Sequence, residues 1–193
     1  MSRVMLPPNQ VHLFGDERIT MTTATDISPI QLMTREFQEE MAATKRLLER
    51  VPADKLTWKP HPKSMSLGQL ALHIAVIPKR ISGLVKTDHF DVSQATFNPP
   101  EPTSLEEIHA AFAASIVAAE TCFAELTEDS AAGSWRLMLR DKELSVKPRI
   151  AVIRTMMLNH WYHHRGQLSV YLRLLDVPLP VVYGRIADES LLG

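Results

Sequence analysis

The sequence predicts an all-α protein, a four-helix bundle with a small hairpin before the last long helix. Three observations carry that prediction. Apolar residues recur at steps of three and four through four separate stretches, the period of one helix face. Each stretch opens on a Ser cap or a Pro, and the first and last are ended by Pro. The second and third connections are long, so the order of helices need not be simple up-and-down.

The first helix starts at Ser28-Pro29, with Gln31 placed to close a capping box. Its stripe runs Ile30, Met33, Phe37, Met41, Thr44, Leu48 and Val51, and Pro52 stops it. Residues 52–65 form a connector containing Pro52, Pro60 and Pro62. Ser66, with Gln69 three residues on, caps the second helix, whose stripe is Leu67, Leu70, Ile74, Ile77, Ile81 and Leu84. Pro78 falls inside this pattern and should kink it, because its ring removes an amide donor and crowds the preceding turn. A polar stretch, 87–103, carries Pro99, Pro100 and Pro102 and reads as a long loop.

Ser104 with Glu107 makes a third capping box, followed by Leu105, Ile108, Phe112, Ile116, Ala119, Phe123 and Leu126. Alternation between Trp135 and Val146 around Asp141-Lys142 predicts a small hairpin, although its turn lacks Gly. Pro148 opens the longest helix, about 149–176, and Pro178 ends it. Its stripe reads Ile150, Ile153, Met157, His160, Trp161, His164, Leu168, Tyr171 and Leu175.

Composition narrows the function. The chain has 193 residues, 45% hydrophobic and 22% charged, with a net charge of −1. That length fits one domain plus a tail. Residues 1–20 lack helical periodicity and hold no continuous apolar core, so 1–25 reads as a disordered extension and 26–193 as the folded domain. A near-neutral chain lacks the basic footprint that grips nucleic-acid phosphates, so no nucleic-acid partner is expected. Uninterrupted apolar runs fall far short of the ~20 residues that cross a bilayer, so no membrane partner is expected either. The single Cys122 excludes an internal disulfide and a Cys-based zinc site, and suits a cytoplasmic location.

Seven glycines leave little material for a phosphate-binding loop, and the nucleophile-elbow and CxxC patterns are absent. Histidine is the informative residue. Of eight, His73 sits in Leu-Ala-Leu-His-Ile-Ala, and His160 and His164 sit four apart in Asn-His-Trp-Tyr-His-His-Arg-Gly-Gln. Four-residue spacing puts His160 and His164 on one face, here the core-facing one. A buried imidazole needs partners for both ring nitrogens. A metal supplies one of them, but ordinary hydrogen bonds in a core supply them as well, and both readings stand at this point. Three imidazoles without Cys or carboxylate would suit Zn, Ni, Mn or Fe and leave open coordination positions. Trp161 occupies the place of the Glu in a zincin H-E-x-x-H, so the general base of a metalloprotease is missing. His163, one position off the stripe, points elsewhere, and His12, His61, His89 and His109 read as solvated.

Several segments together resemble the DinB/YfiT-like metalloenzyme family. They are Val51-Pro52 through Trp58-Lys59-Pro60-His61-Pro62, Ser64 to Leu72-His73, Asn159-His160-Trp161-Tyr162-His163-His164-Arg165-Gly166-Gln167-Leu168, and the tail from Val177-Pro178 to Asp188-Glu189. The resemblance spans about residues 26–190. It implies a four-helix bundle binding one divalent metal ion, Zn or Ni before Mn or Fe, through His73, His160 and His164. It also implies a homodimer, a small-molecule substrate and, in some relatives, a low-molecular-weight thiol. The activity expected is that of a thiol-dependent S-transferase or a related hydrolase; the alternative is a non-catalytic metal-binding or sensing module. The signature includes Arg165, Gly166 and Gln167, with no role attached. Gly166 in a helix costs about 1 kcal/mol against Ala, which close helix packing would explain.

Overall fold

The start signals act as the sequence predicts. In a computed structural model that describes residues 27–96 and 99–189, Ser28 caps α1 (Pro29–Leu48), and its hydroxyl accepts from the Gln31 amide at 3.2 Å. Ser66 does the same for α2 (Leu67–Val85), accepting from the Gln69 amide at 3.0 Å. Ser104 caps α3 (Leu105–Glu125). The extension expected at 1–25 lies outside the described residues.

The last helical run is continuous but not uniform. It comprises α5 (Arg149–Val152), a π-helical segment (Ile153–Asn159) and α6 (His160–Leu174). The π segment widens the turn just before His160 and shifts the buried stripe. Val152, Ile153, Met157 and Leu158 are buried upstream, and Trp161, His164, Arg165, Leu168 and Leu172 downstream. Ile150, Tyr171 and Leu175, assigned to the core stripe by an unbroken period, are only half-buried.

The all-α expectation needs correction. The chain is mostly helical, but it carries a three-stranded sheet in the order β1-β2-β3. The anticipated hairpin is β2 (Ser134–Leu139) and β3 (Lys142–Pro148), paired antiparallel. Its turn manages without Gly because Arg140 adopts φ 54° and its amide donates to the Asp91 carboxylate at 3.0 Å. That Asp ends β1 (His89–Asp91), a strand pairing parallel with β2 inside the stretch expected to be loop. Three residues give too short an alternation to be read from sequence. A short α4 (Glu128–Ala132), capped by Thr127, precedes the hairpin.

The sheet and the start of α5 together have a definite use. The last carbonyls of a helix lack intrahelical donors. At the end of α2 the Leu84 carbonyl accepts from the Trp135 indole at 3.1 Å, and the Val85 carbonyl from Arg149 Nε at 3.0 Å.

One core fills the space between the four long helices, with Phe37, Leu47, Leu70, Ile74, Ile108, Phe112, Met157 and Trp161 among its members. α3 is the one described helix long and apolar enough by composition to cross a membrane. The count of uninterrupted runs overlooks it because Ser, Thr and Glu break the apolar stretches. Here its Ile108, Phe112, Ile116, Ala119 and Phe123 stripe lies in the core. Gly68 is required where it stands: a Cβ would lie 2.8 Å from Pro102 Cγ and 3.0 Å from the Leu56 carbonyl. Gly166 is not, since a Cβ there meets nothing within 4 Å, and the close packing expected at this position is absent.

Candidate metal centre

Pro78 explains how α2 and α6 come to share a site. A proline has no amide, so the Ile74 carbonyl four residues earlier loses its helical donor. The buried Trp161 indole supplies the replacement, donating to Ile74 O at 2.9 Å. The Lys79 amide, in the same opened turn, donates to the Ser115 hydroxyl on α3 at 2.8 Å. Trp161 also stacks on Phe37, with ring centroids 5.6 Å apart and planes at 13°. Ile74 follows His73, and Trp161 follows His160. Fixing the indole on that carbonyl therefore sets the two histidines beside each other.

His73, His160 and His164 come together as the sequence reading expects, each offering a ring nitrogen, with these atoms all within 4.8 Å of one another. Among the described residues no carboxylate or thiolate joins the group. The rings of His73 and His164 stand at 86°, with centroids 4.5 Å apart. The Nε2 atoms of His160 and His164 face each other at 2.7 Å. His164 Nδ1 donates to the Gln167 side-chain oxygen at 2.8 Å, which leaves its Nε2 a bare acceptor. His160 has the Met156 backbone carbonyl as a second partner.

The His160 and His164 Nε2 atoms are close enough to share a proton as a hydrogen bond or to turn their lone pairs toward one ion. Tetrahedral zinc with Zn–N bonds of about 2.0–2.1 Å spaces its donors about 3.4 Å apart, between the closest and widest separations here. The donor set therefore fits a divalent ion held by three imidazoles. Burial, then the neighbouring His164 and His160, then Arg80 pull the His73 pKa down to about 4. Burial likewise brings His164 to about 4, against the opposing effect of Gln167, and lowers His160. All three rings are neutral at pH 7, the form in which imidazole binds metals.

A cavity of about 410 Å³ opens on His73 and His160. Its walls are mainly apolar, built from Ile77, Ile81 and Leu84 of α2, Phe90 of β1 and Met156 of the π segment. The sheet thus supplies a wall of the site as well as the end of α2.

Gln167 went unassigned in the sequence, although its spacing of three from His164 places it on the same helix face. Arg165 serves the framework. It is 3% exposed, ion-paired with Glu40 of α1, and donates to the Thr44 hydroxyl at 3.1 Å and to the Tyr183 hydroxyl. Burial, then Glu40, push the Tyr183 hydroxyl pKa up to about 12, so that side chain stays protonated. His163 is exposed beside His164, and His61, His89 and His109 are exposed away from the group; His12 lies outside the described residues. Cys122 is buried on α3, and burial raises its thiol pKa, so it remains a packed thiol.

Comparison with curated proteins finds no match. Two solved structures share the fold. A DinB-like protein from Bacillus cereus is 23% identical, with 78% of this chain and 95% of that one covered at a TM-score of 0.61. A DinB-like protein from Bacillus subtilis is 21% identical, with 80% and 99% covered at a TM-score of 0.62. The DinB family model matches residues 21–190, which take in every described residue. The histidine signature and the fold thus lead to one conclusion: this chain belongs to the DinB family.

Proposed function

We propose that the chain is a metal-dependent enzyme acting on a small molecule, with His73, His160 and His164 as the ligands of one divalent ion. The observation that carries this reading is a three-imidazole group that, among the described residues, has no fourth protein ligand and opens directly on an apolar cavity. Structural zinc sites are closed by four protein ligands, whereas catalytic ones keep a position for water or substrate. When bound, a divalent ion lowers the pKa of a thiol or water beside it, so that the reactive anion forms near neutral pH.

The chain's own residues supply the rest. Neutral imidazoles present lone pairs without first losing a proton. Gln167 fixes the His164 ring and its tautomer. The walls formed by Ile77, Ile81, Phe90 and Met156 hold the apolar body of a substrate and exclude water. The family resemblance points to transfer involving a low-molecular-weight thiol, with metal-assisted hydrolysis using the same parts. It also points to Zn or Ni as the ion and a homodimer as the working form. A sealed site would favour the non-catalytic metal-binding or sensing module, and the cavity beside the histidines favours the enzyme.

Elemental analysis of the purified protein beside His73→Ala and His160→Ala tests the ligand set. About one divalent ion per chain is expected in the wild type, with loss in each variant. Full metal content in either variant would remove that histidine from the site. A metal-loaded protein that leaves a panel of thiol-transfer and hydrolysis substrates unchanged would favour the sensing module.

A further inference from the structure

The cavity beside the histidines carries a charge that metal binding does not use. Arg80 lies seven residues after His73 on α2 and lines the same cavity. Seven residues are close to two helical turns, so both side chains leave one face, about 10.5 Å apart along the axis. Ile77 sits between them on that face. Among the described residues the cavity lining holds no Asp or Glu, and Arg80 is the one formally charged side chain there.

Arg80 also differs from the arginines of the last helical run. Arg149 pairs with Asp88, Arg154 with Glu36, Arg165 with Glu40 and Arg173 with Asp188. Among the described residues no carboxylate lies within ion-pair distance of Arg80. α2 itself contains no acidic residue to pair with it. An unpaired guanidinium at the edge of an apolar cavity has the geometry to take a carboxylate through parallel N–H bonds. Gln94 and Thr96 add the other polar side chains of the lining.

We propose that Arg80 is a substrate-binding residue and that the cavity takes an elongated anionic molecule. Its apolar body lies along Ile77 and Ile81, its reacting end faces His73 and His160, and its carboxylate pairs with Arg80. The assignment rests on the cavity being the small-molecule site proposed above, but the carboxylate subsite does not need the metal.

Calorimetric titration of metal-free protein with octanoate and with octanamide tests the subsite. Comparing the wild type with Arg80→Gln isolates the part of an octanoate preference that the guanidinium supplies. The wild type is expected to bind octanoate about tenfold more tightly than octanamide, the scale of one charge-assisted hydrogen bond. Arg80→Gln should bind the two equally, and Arg80→Lys should keep most of the preference. Equal binding in the wild type, no binding of either probe, or a preference that survives Arg80→Gln overturns the proposal. Arg80 is exposed, so an unchanged melting temperature for Arg80→Gln is expected and excludes misfolding as the cause.

A second titration uses zinc-loaded protein with suberic acid monohydroxamate and its methyl ester. The free acid should bind about tenfold more tightly, and only while Arg80 is present; equal binding means that one ligand does not span both ends. Failure to take up zinc with the octanoate preference intact would overturn the metal reading alone. Normal zinc uptake without that preference would overturn the Arg80 assignment alone.

Discussion

Gln167 shows how one side chain decides what a histidine can do. An imidazole that donates from Nδ1 to an amide oxygen must present Nε2 as a bare acceptor, and the 2.8 Å contact from His164 imposes that state. Gln167→Leu keeps the size and removes the acceptor. Its metal affinity, measured by competition with a chelator, should fall about 10–100-fold, with little change in melting temperature because Gln167 is exposed. Unchanged affinity would mean that the contact orients nothing. The neighbouring signature residues divide differently. Arg165 ties α6 to α1, its guanidinium spent on Glu40 and Thr44. Nothing in the structure requires glycine at 166.

Among the elements, α2 and α6 are joined by a defect. Pro78 withdraws the donor that the Ile74 carbonyl would have, and the Trp161 indole replaces it at 2.9 Å. Trp161→Phe should leave that buried carbonyl without a partner, costing about 1–3 kcal/mol beyond the lost packing. Pro78→Ala restores an amide at position 78, so the same Trp161→Phe change should then cost less. A double-mutant cycle by denaturant unfolding measures this coupling, expected at about 0.5–3 kcal/mol; additive effects would show that the proline and the indole act independently. The missing donor at Pro78 was legible, because a proline inside an apolar period removes one amide. Its replacement was not, because the indole comes from 87 residues away in the chain. The π segment was equally hidden, since a widened turn leaves no distinct composition and reveals itself only in the shifted stripe around Met157 and Leu158.

Across the whole molecule, placing three imidazoles in a half-buried group makes stability depend on acidity. The pKa values of His73 and His164 fall from 6.5 to about 4 on folding, chiefly through burial. Between those values the unfolded chain binds more protons than the folded one, so stability rises with pH across the window. For metal-free protein the contribution is complete above about pH 6.5 and is lost as the pH falls towards about 4. The melting temperature should drop over that interval, and His73→Asn should flatten the slope. A wild-type melting temperature constant from pH 7 to 4, or an identical slope in the variant, would contradict this.

His73 joined His160 and His164 as a candidate ligand through the family resemblance, while the sequence by itself determined the helical segments, their Ser caps, the proline inside α2 and the shared face of His160 and His164. These follow from local physics: a helical period, a cap closed three residues on and a four-residue spacing act within a turn or two of chain. The tertiary structure alone decided that β1 joins the hairpin, that the sheet ends α2 and walls a cavity, and that Trp161 answers Pro78. It also decided that Arg80 shares a cavity with His73 and His160. Those contacts form between segments far apart in sequence, where each side chain's partner depends on how the helices pack.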